Sequence, residues 1–379
     1  MNNTTSLPPR QNVPPPAEIV SLVEAVDMAY LLSGIYLSIV AVVTVLGNSL
    51  LLLAIIKDPF KSFRTATTVF VVGLALADLF TGLIVDPLTA FLNIAFYMKL
   101  IYGNNPGMIK ILEDCIKVNS HVSFITMNAS FLILLALTFC QYVAISFPHK
   151  HRTLVTCRNA VYVLAIIAIY SSIFSLLPEF KIPLKVKLEI DLHLNTNVVA
   201  FVLIVFYVLL YRAYRVHLKR VSSLDENDAA RKRRKEQQRE FTATNLLLVT
   251  FLLIFTMPSM ILWHLRLYKY YYPRLLSPSQ SLKLELANVL VFDVLVMKFA
   301  LDPCIYAWRL SKYRKAIKHI VMCCRGDLNL QDDSSSRTIS TYVEGRGNQA
   351  RARDDSTEIP LKNSSRDAKL KMSTTSSNN

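Results

Sequence analysis

The sequence predicts an all-α membrane protein, a seven-transmembrane helix bundle followed by a short amphipathic eighth helix. Three observations carry that expectation. The chain of 379 residues is 53% apolar with a mean hydropathy of +0.36, and its apolar residues fall in long blocks rather than interleaving with polar ones. Seven such blocks occur, over residues 31–56, 67–95, 116–147, 158–178, 195–215, 243–265 and 286–308. Each can cross about 30 Å of hydrocarbon at about 1.5 Å per residue. Between them, Lys and Arg are unevenly shared: about 22 fall on the side of the first, third and fifth connections and proximal tail, about 10 on the other. That bias places the amino terminus outside and the carboxy terminus in the cytosol.

Taken in order, residues 1–28 are polar and proline-rich, with Pro14-Pro15-Pro16, and are expected to be disordered and extracellular. They lack the basic start and short apolar core of a cleavable signal, so the first span serves as the anchor. Asn2 and Asn3 each begin an Asn-x-Thr glycosylation acceptor. The bundle is expected over 29–310. The net charge of +15 raises nucleic acid as a partner, but the basic residues abut apolar spans, where they serve topology and attraction to anionic lipid. The third basic segment, 212–240, carries Arg231-Lys232-Arg233-Arg234-Lys235 and suits an acidic or lipid-facing partner. No Cys/His cluster at metal spacing, glycine-rich phosphate loop or nucleophile elbow is present, so no enzyme activity, metal or cofactor is expected.

The seventh span is the most informative. It reads Met297-Lys298-Phe299-Ala300-Leu301-Asp302-Pro303-Cys304-Ile305-Tyr306-Ala307-Trp308. Pro303 removes a backbone hydrogen bond deep in the helix and bends it. Lys298 and Asp302 stand four residues apart, on one face at membrane depth, where charges are costly unless paired.

Asp-Pro-x-x-Tyr followed by basic, amphipathic residues closely resembles the end of the seventh helix in rhodopsin-like G-protein-coupled receptors. The resemblance extends to Gly47-Asn48 in the first span and to Leu74-Ala75-Leu76-Ala77-Asp78-Leu79, close to the family's LAxAD signature. By that resemblance Asn48, Asp78, Ser130, Asp302 and Tyr306 form the sodium site and activation core, and Lys298 stands where the family often has an asparagine facing the sodium. The expectation is that Lys298 is a tethered cation replacing the ion; the alternative is that it snorkels toward water. An opsin's retinal-binding lysine would lie six residues before Asp302, where this chain has Val296, so retinal attachment is not expected.

Departures from the family are equally specific. Cys140-Gln141-Tyr142 stands in place of Asp-Arg-Tyr, so the arginine that locks the resting state and contacts G protein is a neutral glutamine. Thr256 replaces the toggle tryptophan two residues before Pro258, while Tyr207 fits the inward-facing tyrosine of the fifth span. The disulfide expected of the family lacks a partner for Cys115, since residues 179–194 contain no cysteine. Ser123 stands where amine receptors carry an aspartate, so the usual amine anchor is missing. Asp86, His121, Ser123, Trp263 and Phe292 are candidates to line an outer pocket for an unidentified extracellular ligand.

After Trp308, Leu310, Tyr313, Ile317 and Ile320 recur at helical spacing opposite Lys312, Arg314, Lys315 and Lys318, predicting an interfacial amphipathic helix over 311–325. Cys323 and Cys324 resemble the family's palmitoylated pair. The tail, 326–379, is Ser/Thr-rich and expected to be disordered, with Ser334-Ser335-Ser336 as candidate phosphorylation sites for an arrestin. The resemblance implies a cell-surface receptor that transmits a ligand-induced helix rearrangement to heterotrimeric G protein or arrestin. Gln141 leaves open an atypical receptor that does not activate G protein. A transporter using Asp78, Lys298 and Asp302 as an ion relay is a further alternative, but no internal repeat supports it.

Overall fold

The computed structural model describes residues 16–59, 61, 63–103, 105–222, 229–272 and 274–324. Asn2, Asn3 and the tail serines lie outside the described residues. Two units are distinguished, Met1–Ile320 and Val321–Asn379; the described part of the second is one helical turn.

Helix α1 (Ala17–Lys57) starts directly after Pro16, twelve residues before the expected start of the bundle at 29. Proline cannot continue a helix toward its own amino terminus but suits its start, and Glu18 in the first turn complements the positive helix end. The stretch 17–28, expected to be disordered, is therefore helical. Helix α2 (Ala66–Tyr97) is capped by Thr65, whose side chain accepts from the amide of Thr68 at 3.2 Å. Its turns widen to π-helical geometry over Thr81–Val85, just before Asp86-Pro87. Pro87 has no N–H and its ring crowds the preceding turn, which the wider turn relieves.

Helix α3 (Pro106–Ser146) is capped by Asn105 on the amides of Gly107 and Met108, and α4 (Cys157–Ser175) by Thr156. Helix α5 (Leu184–Val216) starts eleven residues earlier than its apolar block and is π-helical over Asp191–Val198. Helices α6 (Ala229–Tyr271) and α7 (Pro278–Arg309) contain Pro258 and Pro303, and α7 opens with a reciprocal capping box between Ser277 and Gln280. The chain extends at Leu310 (φ −101°, ψ 112°) before α8 (Ser311–Cys324).

Among the described residues, six helices are long and apolar enough to cross a membrane. The seventh, α7, carries Asp293, Lys298 and Asp302 in its body, which lowers its hydropathy without changing its place beside α1 and α6. The outward faces of the bundle show Ile39, Ile166, Phe201, Ile254 and Ile261 all at least 59% exposed, as helices facing hydrocarbon require. The inward faces build one main core from Leu51, Phe70, Leu74, Leu137, Leu248 and Tyr306, which also takes Tyr313, Ala316 and Ile320 of α8. We call the end where α1 starts the N face and the end where α7 finishes the C face.

Candidate functional site

Helix α1 meets α7 closely because Gly47 has no side chain: a Cβ there would lie 2.8 Å from Cγ of Pro303. One residue on, the fully buried Asn48 donates from Nδ2 to the carbonyls of Thr44 (3.0 Å) and Phe299 (3.2 Å). The second bond takes up a carbonyl that Pro303, four residues later, cannot satisfy.

Around this junction the structure brings Asp78 of α2, Ser130 of α3, and Lys298 and Asp302 of α7 together. The Lys298 ammonium donates to Ser130 Oγ at 2.7 Å, lies 2.8 Å from Asp302 Oδ2 and 3.6 Å from Asp78 Oδ1, and sits 4.6 Å from the Phe299 ring centroid. Lys298 is 1% exposed, so it points inward and does not snorkel. The i,i+4 spacing puts Lys298 and Asp302 on one face, and the α2–α3–α7 packing supplies the other two oxygens. An ammonium between two carboxylates offsets much of the cost of keeping either away from water. Tyr306 is buried next to this group, its ring centroid 5.7 Å from that of Tyr313; its hydroxyl has no hydrogen bond among the described residues.

Toward the C face, the positions resembling switches are held by neutral contacts. Thr242 Oγ1 of α6 donates to Gln141 Oε1 at 3.3 Å, and Asn245 Nδ2 donates to Thr138 Oγ1 at 3.2 Å, so α6 is joined to α3 without an ion pair. Tyr142 packs against Phe147 and Phe206, and the Tyr207 hydroxyl accepts from Thr250 at 3.2 Å. A cavity of about 790 Å³ opens here, with Arg64, Gln141, His151, Glu240 and Lys312 in its walls. Helix α8 is tied to α6 at its rim. Ser311 Oγ donates to Glu240 Oε2 at 3.0 Å, and the Lys312 ammonium lies 4.9, 5.2 and 5.8 Å from the rings of Tyr313, Phe63 and Phe241. Burial brings Lys312 down from its ordinary value near 10.5 to about 8, with Asp58 opposing the shift. The side chains of Cys323 and Cys324 lie outside the described residues.

At the N face a cavity of about 260 Å³ opens between α3, α5, α6 and α7. Ser123, Trp263 and Phe292 line it, with Thr256 buried at 7% exposure. Asp86 and His121 are outside the lining. Asp86 is fully buried in α2, and His121 Nδ1 meets the Ser175 carbonyl at 3.0 Å while Nε2 lies 3.3 Å from Glu179. Glu179 also pairs with Lys117 at 2.8 Å; that hydrogen bond, helped by His121, holds its carboxyl below the usual range. Cys115 makes no disulfide among the described residues.

Three lining or near-lining residues escaped the sequence reading: Lys187, Asp191 and Arg266. The first two precede the apolar block, which starts at 195. The signal was available in Lys187, Asp191 and Asn195, polar residues at i, i+4 and i+8 that describe one helical face.

Comparison with known proteins agrees with this geometry. The family model described as 7 transmembrane receptor (rhodopsin family) matches residues 47–306. Melanocortin receptor 5 of Pan troglodytes is 27% identical over 300 residues, covering 75% of this chain and 82% of the relative. The D(1C) dopamine receptor of Xenopus laevis is 28% identical over 221 residues, 51% of this chain and 44% of the relative. Adenosine receptor A2b of Gallus gallus is 28% identical over 140 residues, 37% of each chain. With seven helices around a shared polar centre and more than half its length matched, the chain belongs to the rhodopsin family of seven-transmembrane receptors, a G-protein-coupled receptor and not an enzyme.

Proposed function

We propose that this receptor sits in the plasma membrane with its N face outside and that Lys298 serves as a built-in counter-ion in place of a mobile sodium. The observation that carries this is the ammonium of Lys298 among Ser130, Asp302 and Asp78. A ligand entering the N-face cavity would bear on α6 at Thr256 and on α7 at Phe292, one turn or more above the ionic group. Rearrangement of α6 and α7 would then open the C-face cavity to a G protein, or to an arrestin if the tail is phosphorylated. The basic segment 231–235 would contact anionic lipid, and Cys323-Cys324 would carry palmitate.

Sodium titration tests the counter-ion role. Thermal unfolding of the purified receptor is expected to be the same in sodium chloride and in N-methylglucamine chloride of equal ionic strength. The Lys298→Asn variant is expected to gain a sodium-dependent rise, since a ligand at about 100 times its Kd stabilises by about 2.7 kcal/mol. Strong sodium dependence in the native chain would rule the role out.

A second reading, an atypical or decoy receptor that does not activate G protein, is favoured by Gln141, whose side chain is neutral and bound to Thr242. Recruitment of G protein in cells, compared between the native chain and Gln141→Arg, separates the two. On the second reading the native chain recruits none and arginine creates recruitment at least about tenfold above background, a transducer contact of about 1.4 kcal/mol or more. Strong and equal recruitment by both chains would assign arginine's task to another residue.

A further inference from the structure

Ser123 leaves α3 without the acid on which amine ligands are held in this family, yet the N-face cavity does contain a carboxylate, delivered from the neighbouring α5. Asp191 sits in the π-helical turns of α5 and lines the cavity. Its Oδ1 accepts from Asn128 Nδ2 of α3 at 3.1 Å and from Asn195 Nδ2 at 3.0 Å. Its Oδ2 has no hydrogen bond among the described residues. The two amides therefore fix the carboxylate's orientation before any ligand arrives.

Two cations lie near it: Arg266 in the lining itself, and Lys187, whose charge acts on Asp191 through space. Lys187, one turn before Asp191, donates to the Ser175 carbonyl at 3.0 Å and lies 3.8 Å from the Phe124 ring centroid. Arg266 donates to Asn288 Oδ1 at 2.9 Å and is 3.9 Å from Glu285. Neither forms an ion pair with Asp191. Two further groups point to a ligand with a second polar end. Thr256 Oγ1 and Ser259 Oγ, three residues apart on α6, line the same cavity, are buried, and lack hydrogen-bond partners among the described residues. Phe131 and Phe292 supply apolar, electron-rich walls to the same cavity. The volume, about 260 Å³, is slightly under the lower end of small-molecule pockets at about 300 Å³, enough for one ring and a short chain.

We propose that the N-face cavity takes a small organic cation, its ammonium docked on Asp191 of α5. This rests on the reading of that cavity as the ligand site. An oriented carboxylate in a pocket with aromatic walls binds an ammonium through a charge-assisted hydrogen bond and a cation–π contact together. The hydroxyls of Thr256 and Ser259 give a ligand hydroxyl or carbonyl its partner and couple the bound molecule to α6.

The test uses the full-length receptor in lipid nanodiscs and three probes of one shape: 2-phenylethylammonium, 2-phenylethanol and 3-phenylpropanoate. Binding is read as the concentration dependence of the thermal unfolding midpoint at fixed ionic strength. The ammonium is expected to bind about 10- to 100-fold more tightly than the alcohol, the difference a hydrogen bond to a charged partner makes. Asp191→Asn is expected to remove that preference, and Met260→Trp, which fills the cavity, to abolish binding. Alcohol or carboxylate binding as tight as the ammonium in the native receptor overturns the proposal, as does undiminished ammonium binding by Asp191→Asn. In those cases sensitivity to Met260→Trp leaves the cavity as the ligand site and only its cation preference falls. If none of the three probes shifts the native midpoint, both fall.

Discussion

Lys298→Met is expected to destabilise the receptor by about 3–5 kcal/mol, the cost of removing one partner from a buried charge group. The methionine fills nearly the same space, so the loss is electrostatic. It leaves Asp78 and Asp302, both at most 2% exposed, facing each other and Ser130 with no ammonium between them. The diagnostic comparison is the triple variant Lys298→Met, Asp78→Asn, Asp302→Asn. With every charge removed and the shape nearly kept, the triple variant should recover most of the loss. Thermal unfolding of the native, single-variant and triple-variant chains in nanodiscs measures the effect. A single Lys298→Met variant as stable as the native receptor would show that the ammonium contributes no net pairing energy. Function should follow a different order, because the neutral triple variant restores stability but has lost the ionic group by which α7 senses α2 and α3.

Gly47→Ala is the second large effect, and its size depends on what the new methyl group meets. At Gly47 a Cβ would fall 2.8 Å from a ring carbon of Pro303, and at Gly73 one would fall 2.7 Å from Cδ2 of Leu164. The distances are nearly equal, but the neighbours are not. The proline ring is locked to the α7 backbone, whereas the two leucine methyls, at 2.7 and 2.9 Å, are the far end of a flexible side chain that can shift. Gly47→Ala is therefore expected to push α1 from α7 and cost about 1–3 kcal/mol of overpacking, stretching the Asn48–Phe299 hydrogen bond as well. Gly73→Ala is expected to be close to neutral, since the gain in helix propensity of up to about 1 kcal/mol offsets a small side-chain shift. Unfolding midpoints of the two variants check this directly; equal losses would mean that the α1–α7 approach is not constrained by Pro303.

Most of the architecture was legible in the chain because lipid imposes a simple rule: a span needs some twenty apolar residues in sequence, and its backbone must satisfy itself as a helix. The order and type of all seven long helices follow from hydropathy, and the shared face of Lys298 and Asp302 follows from four-residue spacing. The apolar blocks do not mark where helices stop. Turns of mixed polarity at 17–28, 106–115, 184–194 and 278–285 extend α1, α3, α5 and α7 beyond them. Asp191 lies in one of these extensions, outside the apolar block that starts at 195.

What tertiary structure alone decided is which side chains meet. Sequence spacing orients a residue about its own helix but carries no information on the rotation and depth of the neighbouring helices. Lys298 could have faced lipid until α2 and α3 brought Asp78 and Ser130 to the same depth. His121, near a span end, went to Ser175 and Glu179, and Asp86 was buried within α2 with no hydrogen bond among the described residues, while Asp191 reached the cavity only because α5 packs beside α3. Local covalent geometry and solvent preference are written along the chain; pairing across helices is settled only when the bundle closes and each buried charge must find its partner.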